Sequence, residues 1–184
     1  MWFSKEQNKG AMQHSKKAEY YYNCIRRTSM QEDKAGMGPL LRIVREIFEN
    51  MPFNRLLGLK VDHLETDRAG FTLPMTKELI GNATHRILHG GVISGVLDAT
   101  GGMMSIASIL DRMQGLSPDE IKHRISRTGT LDMRIDYLRP GKGTQFFSYA
   151  TVIRTGKKIA VIRMELKNQE DVLVAVGTGA YTVS

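Results

Sequence analysis

Residues 89–110 read HGGVISGVLDATGGMMSIASIL, and this segment indicates more about the architecture than any other part of the chain. Apolar residues recur in it at helical spacing, and nearly every remaining position is also apolar or small. A helix that is apolar nearly all round is a buried one. We therefore predict a central buried helix from about Gly91 to Leu110. The glycines within it weaken the helix intrinsically, so we expect them to admit another backbone at close range.

Upstream of this helix, the sequence predicts a second helix and a hairpin. Apolar residues between Pro39 and Met51 follow one helical face, with Pro39 in the first turn and Pro52 ending the helix. Two strands are expected next, at 59–66 and 71–75, on either side of a short turn.

Downstream of it, Ser117-Pro118-Asp119-Glu120 is a capping box that begins another helix. A run of long strands is then expected near residues 130–137, 144–154, 158–167 and 171–183. In the first of these strands, four apolar residues alternate with polar ones and define one face: Leu131, Met133, Ile135 and Tyr137. The whole pattern predicts an α+β fold in which an antiparallel sheet wraps around the central helix.

Length and composition are those of one globular domain. The chain has 184 residues, of which 41% are hydrophobic and 24% charged, which excludes a disordered chain. Its single cysteine, Cys24, has no partner for an intrachain disulfide, so a reducing, cytoplasmic location is expected. No apolar run is long enough to span a bilayer, and the N-terminus lacks the apolar core of a secretory signal.

The positive charge is spread over two regions of different character. Residues 1–37 are polar, basic and without sustained periodicity, so we predict a poorly ordered N-terminal extension there and a folded domain over 38–184. The net charge of +7 divides into +3 for the extension and +4 for the domain. Nucleic-acid-binding domains usually show a concentrated basic stripe, so the charge favours a small phosphorylated ligand and no nucleic acid.

Asp98 is the unusual residue of the central helix. A carboxylate in a buried helix must be paired, hydrogen-bonded or held for a reaction. The sequence leaves two interpretations open, a structural acid bonded to a neighbouring strand and a catalytic acid.

Gly90 and Gly91 stand where this helix begins. Free amides at a helix N-terminus can stabilise an oxyanion, although a glycine turn that merely admits the chain into the helix would look the same. His85 and His89 are four residues apart, but the glutamate of a zinc-binding HExxH motif is missing. No serine stands in a G-x-S-x-G motif either. We predict no metal and no cofactor.

Several short motifs in this order resemble a known family. They are His89-Gly90-Gly91 with Asp98 nine residues after His89, the preceding Asn82, Gly129-Thr130-Leu131-Asp132-Met133-Arg134, and Tyr137-Leu138-Arg139-Pro140. Together they resemble the hotdog-fold acyl-CoA thioesterases of the PaaI-like superfamily. Three further segments resemble most of all the YigI-type medium- and long-chain acyl-CoA thioesterases: Met51-Pro52-Phe53-Asn54-Arg55, Ile87-Leu88-His89-Gly90-Gly91-Val92-Ile93 and Asp136-Tyr137-Leu138-Arg139-Pro140-Gly141. The resemblance covers about residues 38–184.

The resemblance implies an acyl-CoA thioesterase of fatty acid metabolism and a role for each matching residue. Asp98 would be the general base or nucleophile, and the Gly90 amide would polarise the thioester carbonyl. Asn82 would lie near the thioester and Thr130 would orient water, with His89 in the same motif. Asn82 stands seven residues before His89, one more than in many PaaI-type members.

A distance argument adds a second subunit to this picture. Gly90 and Asp98 are eight residues apart on one helix, which is about 12 Å. Both groups cannot contact the same carbonyl, because catalytic contacts need roughly 3 Å. If both act, they come from different subunits, so we expect a homodimer or a dimer of dimers.

The CoA phosphates favour basic or amide partners. The candidates for substrate binding are Gly91, Arg139, Arg154, Lys157 and Lys158. The alternative function is a non-catalytic acyl-CoA-binding regulator on the same fold, which would need a DNA-binding element that residues 1–37 do not show. A hotdog dehydratase would need a catalytic His/Glu or Asp/His signature, which is not visible.

Overall fold

The structure is a computed structural model that describes residues 37–183. Almost all of the predicted extension at residues 1–37 therefore lies outside the described residues, and the division between extension and domain stays a prediction. Four helices and eight strands make up the described part. The helices are α1 (Met37–Asn50), α2 (Pro52–Leu57), α3 (Gly90–Ala107) and α4 (Pro118–Ser126). The strands are β1 (Lys60–Leu64), β2 (Arg68–Pro74), β3 (Ile80–Asn82), β4 (Ile87–Leu88), β5 (Thr130–Tyr137), β6 (Gln145–Thr155), β7 (Ile159–Asn168) and β8 (Leu173–Thr182).

Six strands form one antiparallel sheet in the order β1-β2-β6-β7-β8-β5. Helix α3 packs on the sheet against β2, β6, β7, β8 and β5, and α1 contacts both α3 and β1. Ten residues of α3 are buried, which confirms the central helix and explains its apolar sequence. The predicted α+β architecture, a sheet around a central helix, is confirmed.

Local details differ from the sequence expectations. Helix α3 ends at Ala107, and a separate 3-10 turn covers Leu110–Met113. Pro52 ends α1 but also opens α2, because proline at the first helical position loses no hydrogen bond. Strand β5 pairs with β8 rather than with β6, the strand that follows it in the chain.

The glycines of α3 admit side chains rather than another backbone. A Cβ at Gly95 would lie 2.9 Å from the ring of Phe53, and a Cβ at Gly101 would collide with Tyr181 and Met164. The expectation of a backbone approaching these glycines was wrong. Large side chains from α2, β7 and β8 use the space instead.

Two buried hydroxyls fix α3 on the sheet. Thr100 Oγ1 lies 2.6 Å from Ser148 Oγ on β6 and donates to the Val96 carbonyl at 2.6 Å. Ser148 Oγ in turn accepts from the Phe71 amide of β2 at 3.3 Å. Because Thr100 is two residues after Asp98, this contact sets the rotation of the helix that presents Asp98.

Candidate active site

The N-terminus of α3 is capped by a histidine. The His89 side chain accepts a hydrogen bond from the Gly91 amide at 2.8 Å through Nδ1. The amides of Val92 and Ile93 donate to the His89 carbonyl at 3.0 and 3.1 Å. The Gly90 amide, first in the helix, has no acceptor inside the helix itself. Of the two glycine amides, Gly90 is thus better placed than Gly91 to serve a ligand.

An open pocket of about 340 Å³ lies at this end of α3. Its lining includes Gly90, Ile93, Tyr137 and Arg139. The Tyr137 hydroxyl donates to the Gly90 carbonyl at 3.2 Å, which ties the end of β5 to the start of the helix. The pocket therefore opens directly onto the first turn of α3.

Asp98 lies two turns further along α3 and is half-buried. The Thr130 hydroxyl on β5 donates to Asp98 Oδ1 at 2.8 Å. This bond to a neighbouring strand fits both interpretations, since a structural acid and a catalytic acid would each need such a partner. The structure brings Asp98 and Thr130 together, and the water-orienting role that the resemblance implies for Thr130 stays a prediction.

A β-bulge places Thr130 on the helix side of β5. Thr130 pairs with Tyr181 and Asp132 pairs with Ala180, so Leu131 is an extra residue in the strand. The prediction that Leu131 shares a face with Met133 was wrong, because the Leu131 side chain is 55% exposed and Thr130 takes the position facing α3. Bulges commonly re-aim a side chain beside an active site.

Asn82 ends β3 and is exposed. Its Oδ1 accepts from the His85 amide at 3.1 Å, which stabilises the turn between β3 and β4. A Cβ on the preceding residue, Gly81, would lie 2.6 Å from the His89 Cα, so only glycine lets β3 pass this close to the helix start. Asn82 therefore lies one residue from the strand position that contacts His89.

The proposed phosphate-binding residues fall into two groups. Arg139 lines the pocket at Gly90, and its Nη1 donates to the Leu173 carbonyl at 3.1 Å. Arg154 lies near the end of β6, and the β6–β7 turn that follows contains Lys157 and Lys158. Thr155 beside that turn donates to Ser108 Oγ at the C-terminal end of α3 at 3.0 Å. Within one chain, the length of α3 separates Arg139 from the other three cations.

A second open pocket is lined by two basic side chains that the sequence did not mark as a pair. It measures about 330 Å³, and its lining includes Lys77 and Arg86. These residues are nine positions apart on opposite sides of β3, so no local motif could have revealed the pair. Arg86 has a φ of 49°, an unusual value for a side chain other than glycine.

One chain keeps Gly90 and Asp98 apart. Helix α3 runs without interruption from Gly90 to Ala107, so the eight-residue separation follows a regular helix of about 1.5 Å per residue. Gly90 and Asp98 of a single chain are therefore about 12 Å apart along the helix axis.

Within residues 37–183, no three side chains among the histidines, aspartates and glutamates cluster closely enough to hold a metal ion. No helix there is both long and apolar enough to cross a membrane.

Comparison with known proteins connects this geometry to a family. The family model of the thioesterase superfamily matches residues 85–175, which contain His89, Gly90, Asp98 and Thr130. The chain is 42% identical over 144 residues to the medium/long-chain acyl-CoA thioesterase YigI of Escherichia coli K12, covering 78% of this chain and 93% of that protein. The YigI protein of Salmonella typhimurium matches to the same extent.

Solved structures agree with the sequence comparison. A thioesterase-superfamily protein from Shewanella oneidensis superposes with a TM-score of 0.76 at 40% identity, covering 80% of this chain and 97% of that chain. The Escherichia coli PaaI protein superposes with a TM-score of 0.62 at 22% identity, covering 78% and 91%, a likeness of fold alone.

Proposed function

Because this chain belongs to the thioesterase superfamily, has its hotdog fold and is a thioester hydrolase, we propose that it hydrolyses medium- and long-chain fatty acyl-CoA to free fatty acid and CoA. We place this reaction in the cytoplasm and in a homodimer. The observation that carries the substrate class is the 42% identity to YigI over 93% of that protein's length. The geometry around α3 supplies groups suited to this chemistry.

Asp98 is the group that activates the attack. As a general base, its carboxylate takes a proton from water while the water oxygen bonds to the thioester carbon. The C–S bond then breaks, and the departing sulfur receives the proton back from Asp98. As a nucleophile, the carboxylate itself attacks the thioester carbon and the C–S bond breaks, which releases CoA as a thiolate and leaves a mixed anhydride on Asp98. Water then hydrolyses this anhydride to the free fatty acid and regenerates the Asp98 carboxylate, and the proton given up by water neutralises the thiolate. In either case, the bond from Thr130 to Oδ1 at 2.8 Å orients the carboxylate.

The Gly90 amide stabilises the charge that develops on the carbonyl oxygen. Backbone N–H groups at a helix N-terminus combine a hydrogen bond with the helix dipole. His89 supports this arrangement by satisfying the Gly91 amide, which holds the first turn in place.

A second subunit completes each site. The 12 Å that separate Gly90 from Asp98 within a chain require the carbonyl to lie between the Gly90 of one subunit and the Asp98 of another. Strand β5 is suited to the interface, because it is an edge strand of the sheet and exposes Leu131 and Tyr137. A two-fold interface there would create two equivalent sites.

Helix α2 offers an apolar surface for the acyl chain. Phe53 and Leu56 are 52% and 79% exposed, although both are large hydrophobic residues. The Phe53 ring lies over Gly95, between Gly90 and Asp98 along α3. An acyl chain whose carbonyl lies beside Gly90 and Asp98 would therefore extend along α2.

The direct test uses a series of saturated acyl-CoAs from acetyl to stearoyl. Hydrolysis of each is measured through the release of the free CoA thiol. We expect kcat/KM to rise with chain length and to be greatest for medium or long chains. Tight binding of all substrates without thiol release would support the non-catalytic acyl-CoA-binding alternative instead.

The positive charge of Arg139 at the pocket should strengthen the binding of the CoA moiety. Replacing Arg139 by glutamine should raise KM about tenfold for acyl-CoA, since a charge-assisted bond to a phosphate is lost. It should leave KM unchanged for a short acyl thioester that lacks the nucleotide. Arg134→Gln is the matched control, because Arg134 is exposed and paired with Asp136 at 3.1 Å. Equal effects of Arg139→Gln on both substrates would contradict a phosphate-binding role.

A further inference from the structure

Tyr181 on β8 faces the same side of the sheet as Thr130. The two residues are cross-strand partners in the β5–β8 pairing, and such partners share a face. Tyr181 is only 1% exposed, so its ring lies between the sheet and α3. The bulge at Leu131 is what aligns Thr130 with this tyrosine. Two hydroxyl groups from adjacent strands thus approach α3 side by side.

Two glycines leave room for the Tyr181 ring. A Cβ at Gly101 would collide with the Tyr181 hydroxyl, and a Cβ at Gly179 would lie 2.9 Å from ring atoms. Gly101 is three residues after Asp98, about one helical turn. The hydroxyl is therefore set against α3 one turn from the carboxylate.

Among the residues that the structure describes, the Tyr181 hydroxyl has one hydrogen-bond acceptor, Met164 Sδ on β7. The sulfur lies 3.3 Å away, and a thioether is a weak acceptor. The Asp98 carboxylate is the other neighbour. Burial raises the pKa of Tyr181, and the negative charge of the nearby Asp98 raises this pKa further. Tyr181 therefore keeps its proton near neutral pH and acts as a donor.

We propose that Tyr181 is a positioning residue of the active site, whose hydroxyl donates to the Asp98 carboxylate and, together with Thr130, fixes its orientation towards the thioester. The proposal rests on the proposed function, because it concerns the acid that activates the attack. Thr130 alone holds one oxygen of Asp98 and leaves the carboxylate free to rotate about that bond. A second donor from β8 removes this freedom.

The test compares Tyr181→Phe with Tyr149→Phe. Tyr149 is a matched control because it is also partly buried, and burial together with the charge of Asp62 raises its pKa to about 12. Its ring, however, lies on the opposite face of the sheet from Ser148, which contacts α3. There it stacks on His63 with the two ring centroids 5.7 Å apart. We expect Tyr181→Phe to lower kcat about tenfold with KM unchanged, which corresponds to one lost bond to a charged group. Tyr149→Phe should leave both constants unchanged.

Two further variants distinguish positioning from a structural role. Met164→Leu removes the sulfur contact of Tyr181 and should leave kcat unchanged. In an Asp98→Asn background, Tyr181→Phe should lower the residual rate no further, because the two residues act as one unit. An additional tenfold loss in that background would overturn the proposal, as would a rise in KM with kcat unchanged.

The outcomes also separate this proposal from the proposed function. If the wild-type protein hydrolyses acyl-CoA and Tyr181→Phe behaves like Tyr149→Phe, the positioning role alone is overturned. If the wild-type protein hydrolyses no acyl-CoA, the proposed function fails and the role of Tyr181 fails with it. Rates are compared per folded protein, with the melting temperature of each variant measured alongside.

Discussion

Replacing Asp98 with asparagine should lower the turnover of acyl-CoA by at least about 10²-fold, the lower range for the loss of a positioned general base. Asparagine keeps the size of the side chain, and its amide oxygen can still accept the bond that Thr130 donates at 2.8 Å. Only the base or nucleophile is lost. Substrate affinity and melting temperature should therefore stay close to those of the wild-type protein, as measured by binding and thermal unfolding.

Asp136→Asn is the control for this experiment. Asp136 lies on β5 and pairs with the exposed Arg134, so its loss should change turnover very little. If Asp98 is instead a structural acid, Asp98→Asn should destabilise the fold by about 1–3 kcal/mol and leave turnover per folded protein near the wild-type value. That result would contradict the catalytic assignment.

Replacing Gly90 with proline should lower kcat by about 10²–10³-fold, the usual cost of removing one oxyanion donor. The backbone accepts this change. Gly90 is the first residue of α3, where proline fits, and His89 has the extended ψ of 137° that a residue before proline adopts. A Cβ at Gly90 would meet Tyr137 at an ordinary 3.6 Å. At the backbone and at Cβ, the substitution therefore removes the N–H group without a clash.

Gly90→Ala separates the amide from the side chain. Alanine adds the same Cβ beside Tyr137 but keeps the N–H group, so its kcat should remain within a few-fold of wild type. Equal losses for the alanine and proline variants, measured with the same acyl-CoA, would show that the crowding of Tyr137 matters and that the Gly90 amide does not.

The sequence predicted the large elements of this fold because their patterns are long. The apolar composition of residues 89–110 allows a buried helix and little else, and the structure places α3 at the centre of the sheet. The capping box at Ser117 is present as predicted, with both of its hydrogen bonds. Such signals are local, so they survive without knowledge of the partners that pack on them.

Features that depend on long-range pairing were not predicted. The bulge at Leu131 is set by the pairing of β5 with β8, 50 residues away in sequence, and the alternation of β5 gives no sign of it. Tyr181 likewise reads as an ordinary strand residue until the space at Gly101 is known. Short elements such as β4, with two residues, carry too little pattern to be recognised.

The proposed roles of Asp98 and Thr130 come from the resemblance and, for Asp98, from its unusual position in an apolar helix. Their contact at 2.8 Å depends on the bulge, which no pattern showed. Arg139 and the three cations near the β6–β7 turn could not be told apart by sequence, because only the sheet shows that they lie at opposite ends of α3.

In the proposed active site, Asp98 comes from one subunit and the Gly90 amide from the other. Co-expression of Asp98→Asn and Gly90→Pro chains with two different affinity tags yields heterodimers, whose kcat is then compared with that of both variant homodimers. A heterodimer has one site with an intact carboxylate and an intact amide, and a second site with neither. We predict about half of the wild-type kcat per heterodimer, although both homodimers are nearly inactive. Folded, verified heterodimers that stay as inactive as the homodimers would contradict the shared site.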